Sequence, residues 1–144
     1  MTQLSEHFTL EEMIFSQTAA RKGIDNFPPP NILDNLTNTA QCMEEVRDLL
    51  GHPISISSGY RCEALNKAVG STSKRSQHLE GEAVDFTCPG FGTPQEIVEA
   101  IINSDIEYDQ IILEYDRWVH ISFSQKRNKK QALIIDNSGT RAYA

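Results

Sequence analysis

A chain of 144 residues, 39% hydrophobic and 23% charged, has the composition of an ordinary folded domain and enough length to bury a real core. Its formal charge of −7 argues against a nucleic-acid partner and gives no help in holding an anionic surface, so any such target must be recognised locally, inside a cleft. Three scattered cysteines, Cys42, Cys62 and Cys88, exclude a disulfide framework or a cysteine-based zinc knuckle and fit synthesis in a reducing compartment. The first residues show no basic or apolar region of a signal peptide, and no run approaches the roughly 18 apolar residues of a membrane span. The expectation is one domain over 1–144, made in the cytoplasm and acting as a monomer without a membrane or nucleic-acid partner.

Thr9-Leu10-Glu11-Glu12 is a capping box and opens a helix running to about Ser16, with Phe8 and Met13 placed as a hydrophobic staple. Thr18 to Gly23 reads as another turn. Phe27-Pro28-Pro29-Pro30 is a rigid connector, because proline lacks the amide proton and restricts the residue before it. A long helix follows over Asn31 to Leu50, with Ile32, Leu33, Leu36, Ala40, Met43, Val46, Leu49 and Leu50 as its apolar stripe and Gly51 at its end. Ile54 to Ser58 alternates as a strand, Glu63 to Val69 is a short helix, and Ser71 to Gln77 is a polar loop.

Glu82 to Thr87 reads as a strand with Ala83 and Asp85 on one face. Thr93-Pro94-Gln95-Glu96 is a second capping box, and its helix turns Ile97, Ile101 and Ser104 inward. Tyr108 to Tyr115 and Trp118 to Ser124 form two strands. Residues 125–131 are a basic, solvated loop, and Leu133 to Ile135 is a last strand before the turn signal Asp136-Asn137-Ser138-Gly139. Helices come early and strands late, which points to an α+β fold with a largely antiparallel sheet.

The chemistry concentrates in Ser76-Gln77-His78-Leu79-Glu80-Gly81-Glu82-Ala83-Val84-Asp85 and Trp118-Val119-His120. His78, Asp85 and His120 offer two imidazoles and a carboxylate, a set that suits Zn²⁺ and leaves a fourth position open for water. The seven-residue spacing of His78 and Asp85 suits a loop, a turn at Gly81 and a strand rather than one helix face. Asp85 lies mid-strand, where a carboxylate is rarely buried unless it is paired or bound to metal. A salt bridge to Arg61 is its ordinary explanation.

A hydrolase would also need an acid close to His120 to move a proton. Glu114 is the first candidate and Asp116 the second. A three-residue loop, Asp116-Arg117-Trp118, would put Glu114 opposite His120 on the same face, whereas a two-residue loop would send it to the other. Arg61 can bind a carboxylate or a developing oxyanion in its planar fork. Ser76, Gln77 and Trp118 are candidate substrate contacts.

These residues together resemble the zinc D-alanyl-D-alanine carboxypeptidase family and its phage endolysin peptidases. The matching segments are Ser58-Gly59-Tyr60-Arg61 with Leu65-Asn66, Ser76-Gln77-His78 through Gly81, Ala83 and Asp85, and Asp109-Gln110-Ile111-Ile112 through Glu114 to Trp118-Val119-His120-Ile121-Ser122. Phe8 to Glu12 and Gly23-Ile24-Asp25-Asn26 look like endolysin-type members. The resemblance implies a Hedgehog/DD-peptidase-like fold, zinc on His78, Asp85 and His120, Glu114 as general base, and Arg61 near the scissile carbonyl. It implies peptidoglycan stem peptides as substrate and the bacterial cell wall as the place of action. Several relatives carry the acid where this chain has Arg117. That departure keeps a second expectation open, a zinc-containing module that binds a wall peptide without cutting it. A zinc amidase cutting the sugar–peptide bond is a third.

Overall fold

The N-terminal helices begin where their caps place them. Thr9 Oγ1 accepts from the Glu12 N–H and the Glu12 carboxylate accepts from the Thr9 N–H, so both halves of the capping box head α1 (Leu10–Ile14). Phe8 and Met13, on either side of the cap, are both buried. Ser16 caps α2 (Gln17–Lys22) through its hydroxyl, which accepts from the Ala19 N–H, and Gly23 closes it. The computed structural model describes residues 2–70 and 76–143, so most of the expected 71–77 loop lies outside the described residues.

Pro30 occupies the first position of α3 (Pro30–Leu50), where its missing N–H would have had no helical partner. The apolar stripe does its expected work at Ile32, Leu36, Ala40, Met43, Val46 and Leu50, all buried. Leu49 falls off the stripe and is 40% exposed. Burying each large side chain of this stripe contributes about 1.5–3 kcal/mol. The remaining helices are α4 (Glu63–Ala68) and α5 (Pro94–Ile102), the latter headed by its own capping box at Thr93 and Glu96. The helix stops before Ser104, whose hydroxyl instead donates back to the Ile101 carbonyl.

Six strands form one sheet: β1 (Ser55–Ser58), β2 (Ala83–Thr87), β3 (Gln110–Glu114), β4 (Trp118–Ser122), β5 (Gln131–Asp136) and β6 (Gly139–Ala142). Their spatial order is β1-β2-β4-β3-β5-β6, and every pairing is antiparallel except β3 with β5. The architecture is α+β, as the order of patterns in the sequence implied. Val84, Phe86, Ile111, Leu113, Val119 and Ile121 on one face join the α3 stripe and Ile97, Val98 and Ile101 of α5 in a single core. The alternate residues, including Asp85, Ile112, Glu114, Trp118 and His120, therefore share the other face. No helix among the described residues is long and apolar enough to cross a membrane.

The β3–β4 hairpin corrects one expectation. Its loop has three residues, but they are Tyr115, Asp116 and Arg117 rather than Asp116-Arg117-Trp118. Tyr115 and Asp116 both take the left-handed conformation, with φ of 54° and 56°. The Arg117 N–H donates to the Glu114 carbonyl, and the Tyr115 N–H donates sideways to Ile135 of β5. That tie to the parallel neighbour fixes where the turn begins. Trp118 becomes the first residue of β4 and pairs with Glu114, while Ile112 pairs with His120. The odd loop keeps Glu114 on the face of His120, two positions along rather than opposite.

Truncating the core stripe should be costly only where the stripe is buried. Leu36→Ala is expected to lower unfolding free energy by about 2–5 kcal/mol, and Leu49→Ala by no more than about 0.5 kcal/mol. Urea denaturation of both variants would show this. Equal losses would mean that α3 does not pack by this face.

Candidate functional site

Strand register assembles the first half of the site. Asp85 of β2 lies directly across from His120 of β4, so their side chains stand together on the sheet face away from the main core. His120 Nδ1 is 3.0 Å from Asp85 Oδ1. Ser58 of β1 pairs with Asp85 from the other side, across an irregularity in β1 between Ile56 and Ser58. The salt bridge to Arg61 offered as the ordinary explanation of Asp85 is not formed among the described residues. Asp85 faces two imidazoles instead.

The second imidazole arrives from the turn before β2. His78 is 2% exposed, and its Nδ1–H donates to the Gly59 carbonyl at 2.7 Å. A carbonyl can only accept, so this bond sets the tautomer and leaves the Nε2 lone pair pointing at Asp85 Oδ1, 3.3 Å away. Gly81, at φ +72°, turns the chain from the His78 loop into β2, and a Cβ there would press on Ile32 and Leu36 of α3. Burial pushes His78 towards its neutral form against the opposing pull of Asp85. Burial would raise the Asp85 pKa, but the imidazoles of His120 and His78 set against it outweigh burial and hold the carboxyl well below its ordinary range.

A neutral imidazole lone pair aimed at a carboxylate is repulsive unless a cation lies between them. The three ligand atoms all fall within 4.8 Å of one another. Tetrahedral ligands at about 2.0–2.1 Å from an ion stand about 3.3–3.4 Å apart, close to the 3.0 and 3.3 Å found here. The donor set therefore fits a small divalent ion. A second grouping, Glu6, His7 and Glu44, is more exposed, and there His7 and Ser5 already bond Glu44.

The other expected residues are placed unequally. Glu114 is half-buried. Burial and the nearby Asp85 charge raise its pKa, while His120, Trp118 and Arg61 pull it down. Asp116 is exposed at the hairpin tip. Arg61 is part-buried: burial lowers its pKa, and Asp85 and Glu114 raise it. Its Nε has no partner among the described residues. Trp118 stacks near Tyr115 with ring centroids 5.7 Å apart. Its buried Nε1 finds no acceptor in full hydrogen-bonding geometry, yet lies near enough to Glu114 to favour that carboxylate. Ser76 Oγ accepts from the His78 N–H, and the Gln77 amide donates to Asp109, so both help shape the loop that carries His78.

Two supporting groups gave no such signal in the sequence. One is the Gly59 carbonyl, a main-chain atom. Gly59 cannot carry a side chain, because a Cβ would collide with the Met13 carbonyl of α1. The other is Asn26, 8% exposed. Its Nδ2 donates to the Ile14 and Tyr60 carbonyls, and its Oδ1 accepts from the Cys62 N–H. Asn26 thus grips the chain on both sides of Arg61. The Tyr60 N–H also donates to Met13, and the Arg61 N–H to the His78 carbonyl. The Gly23 to Asn26 segment carried part of the family resemblance, but only the fold shows what Asn26 holds.

Asn26→Ala would strand two carbonyls and one N–H, with an expected destabilisation of about 1–3 kcal/mol for a buried group left unpaired. Chemical denaturation should register that loss, and a change within error would show that water replaces the amide without penalty.

A family model described as Peptidase M15 matches residues 6–122, which takes in α1 to β4 and all the residues above but not β5 or β6. No curated protein matches the chain. Matched over most of its length, and carrying the two histidines and the aspartate on one sheet face, the chain belongs to the M15 family of zinc D-Ala-D-Ala carboxypeptidase-like peptidases.

Proposed function

We propose that the protein is a zinc-dependent peptidase that hydrolyses peptidoglycan stem peptides, with residues 1–144 acting as one catalytic domain. The observation that carries this reading is the convergence of His78 Nε2 and His120 Nδ1 on one oxygen of Asp85, with Glu114 on the same sheet face. His78, Asp85 and His120 would hold the ion. Zinc so held supplies Lewis acidity, polarising a carbonyl and acidifying water near neutral pH.

The chain's own groups do the rest. Glu114 takes the proton from the attacking water and hands it to the leaving amine, so that the peptide bond breaks into a carboxylate and an amine. Partial burial beside Asp85 raises its pKa, which makes it a better proton acceptor than an exposed carboxylate. Arg61 donates to the carbonyl oxygen as negative charge develops there. Its unpartnered Nε and the absence of an ion pair among the described residues keep it available. Asp116, exposed at the turn, is the less favourable base. Ser76 and Gln77 support the His78 loop, and Trp118 flanks Glu114.

The deciding experiment is digestion of purified peptidoglycan fragments with zinc and with a chelator, followed by mass spectrometry. Cleavage between two amino acids, lost on chelation and restored by zinc, is expected. The product masses separate a carboxypeptidase from an endopeptidase. Cleavage at the sugar–peptide bond would instead make the protein an amidase. Binding of fragments without any product would make it a wall-binding module.

Two variants divide the roles. Glu114→Gln should lower kcat by at least about 10²–10⁴ with zinc content unchanged, and full activity would shift the role to Asp116. Zinc at about 100 times its Kd should stabilise the wild-type protein by about 2.7 kcal/mol, an effect that Asp85→Asn should largely remove. Equal stabilisation of both proteins would place the ion elsewhere.

A further inference from the structure

One side of the site is more positive than the chain's net charge of −7 would suggest. A cavity of about 480 Å³ opens beside the metal-binding set on the β1 side, with Asp85 at one end. Phe15, Gln17, Thr18, Arg21 and Arg61 are among its lining residues. The volume is in the range of sites that enclose small ligands. In a protein of net charge −7 this cavity is lined by two guanidinium groups and a single carboxylate. That carboxylate, Asp85, is engaged by two imidazoles.

Neither arginine is neutralised by an ion pair with an acid among the described residues. Arg21 makes one long contact, 3.5 Å from Nη2 to the Thr18 hydroxyl in its own helix. Arg61 feels Asp85 and Glu114 and lies beside the reacting centre. Arg21 stands on α2 and lines the same cavity, so it can serve a different part of the ligand. A guanidinium offers a planar fork that matches a carboxylate bidentately. The exposed Phe15 adds an apolar surface at the same wall.

We infer that this cavity is an anionic subsite, in which Arg21 binds a carboxylate of the peptide away from the scissile bond and sets specificity for acidic over amidated substrates. The inference rests on the peptidase reading for the position of the scissile bond. Arg21 is a specificity residue here. Proton transfer and carbonyl polarisation belong to Glu114 and Arg61.

The test uses synthetic stem pentapeptides ending in D-Ala-D-Ala, in which each free carboxyl group is amidated in turn. Wild-type zinc-loaded protein should cleave one acid form at least tenfold better in kcat/KM than its amide, mainly through KM. Arg21→Gln should bring that ratio close to one, and Arg21→Lys should keep part of it. The same acid preference in wild type and Arg21→Gln, or no preference in wild type, overturns the inference. If wild type cleaves none of the peptides, the peptidase reading fails. Calorimetric binding of the same acid and amide pairs to the zinc-loaded proteins then decides the subsite. Tighter binding of an acid form, lost in Arg21→Gln, supports it, and equal binding of acid and amide overturns it.

Discussion

Asp85 places the strongest demand on this structure. A carboxylate in the interior of a sheet loses its water, and that loss is tolerated only where fixed partners replace it. Here two imidazoles converge on the same oxygen, and a cation held between them would supply that replacement. One comes from the facing strand and depends on the β2–β4 register. A slip of one residue would turn Asp85 into the apolar core and bring Val84 or Phe86 out to the site. The core residues on the opposite face therefore do more than stabilise the sheet, because they fix the register in which Asp85 and His120 meet.

The other imidazole stands on a turn, and a turn cannot aim a side chain by itself. His78 is aimed by the Gly59 carbonyl, and Gly59 is held against Met13 of α1. Asn26 and the Tyr60 N–H extend that hold, so the segment that presents Arg61 and orients His78 is fastened to the N-terminal helices. Losing an orienting bond of this kind typically costs about 10- to 100-fold in metal affinity or activity. The N-terminal segment from α1 to Asn26 thus acts as a brace for the site, and the apolar surface of α1 pins that brace to the core.

The hairpin shows how a local preference yields to a neighbour. Asp116 and Arg117 carry no glycine or asparagine to mark a turn, and the chain pays for two left-handed residues at Tyr115 and Asp116. The bond from Tyr115 to β5 and the pairing of β3 on both edges hold that turn in place. Glu114 gains from the result, since it stays on the site face and is half-covered beside Trp118.

Much of this was legible in the sequence. Both capping boxes, the α3 stripe and the α+β class follow from patterns spanning a few residues, and such patterns report local backbone preference and the face to be buried. The residue types gathered at the candidate site were legible too, because three side chains able to hold a metal stand out together where each alone has an ordinary explanation. The turn residues of the hairpin, the clamp at Asn26 and the bond from Gly59 were not. The clamp at Asn26 and the bond from Gly59 join residues 12 to 36 positions apart, and one uses only a main-chain oxygen that every residue possesses. The sequence by itself determined which groups were available and which faces had to be buried. Only the tertiary structure decided which groups meet, because the long-range register and docking that bring them together are set by the summed packing of the whole core rather than by any local pattern.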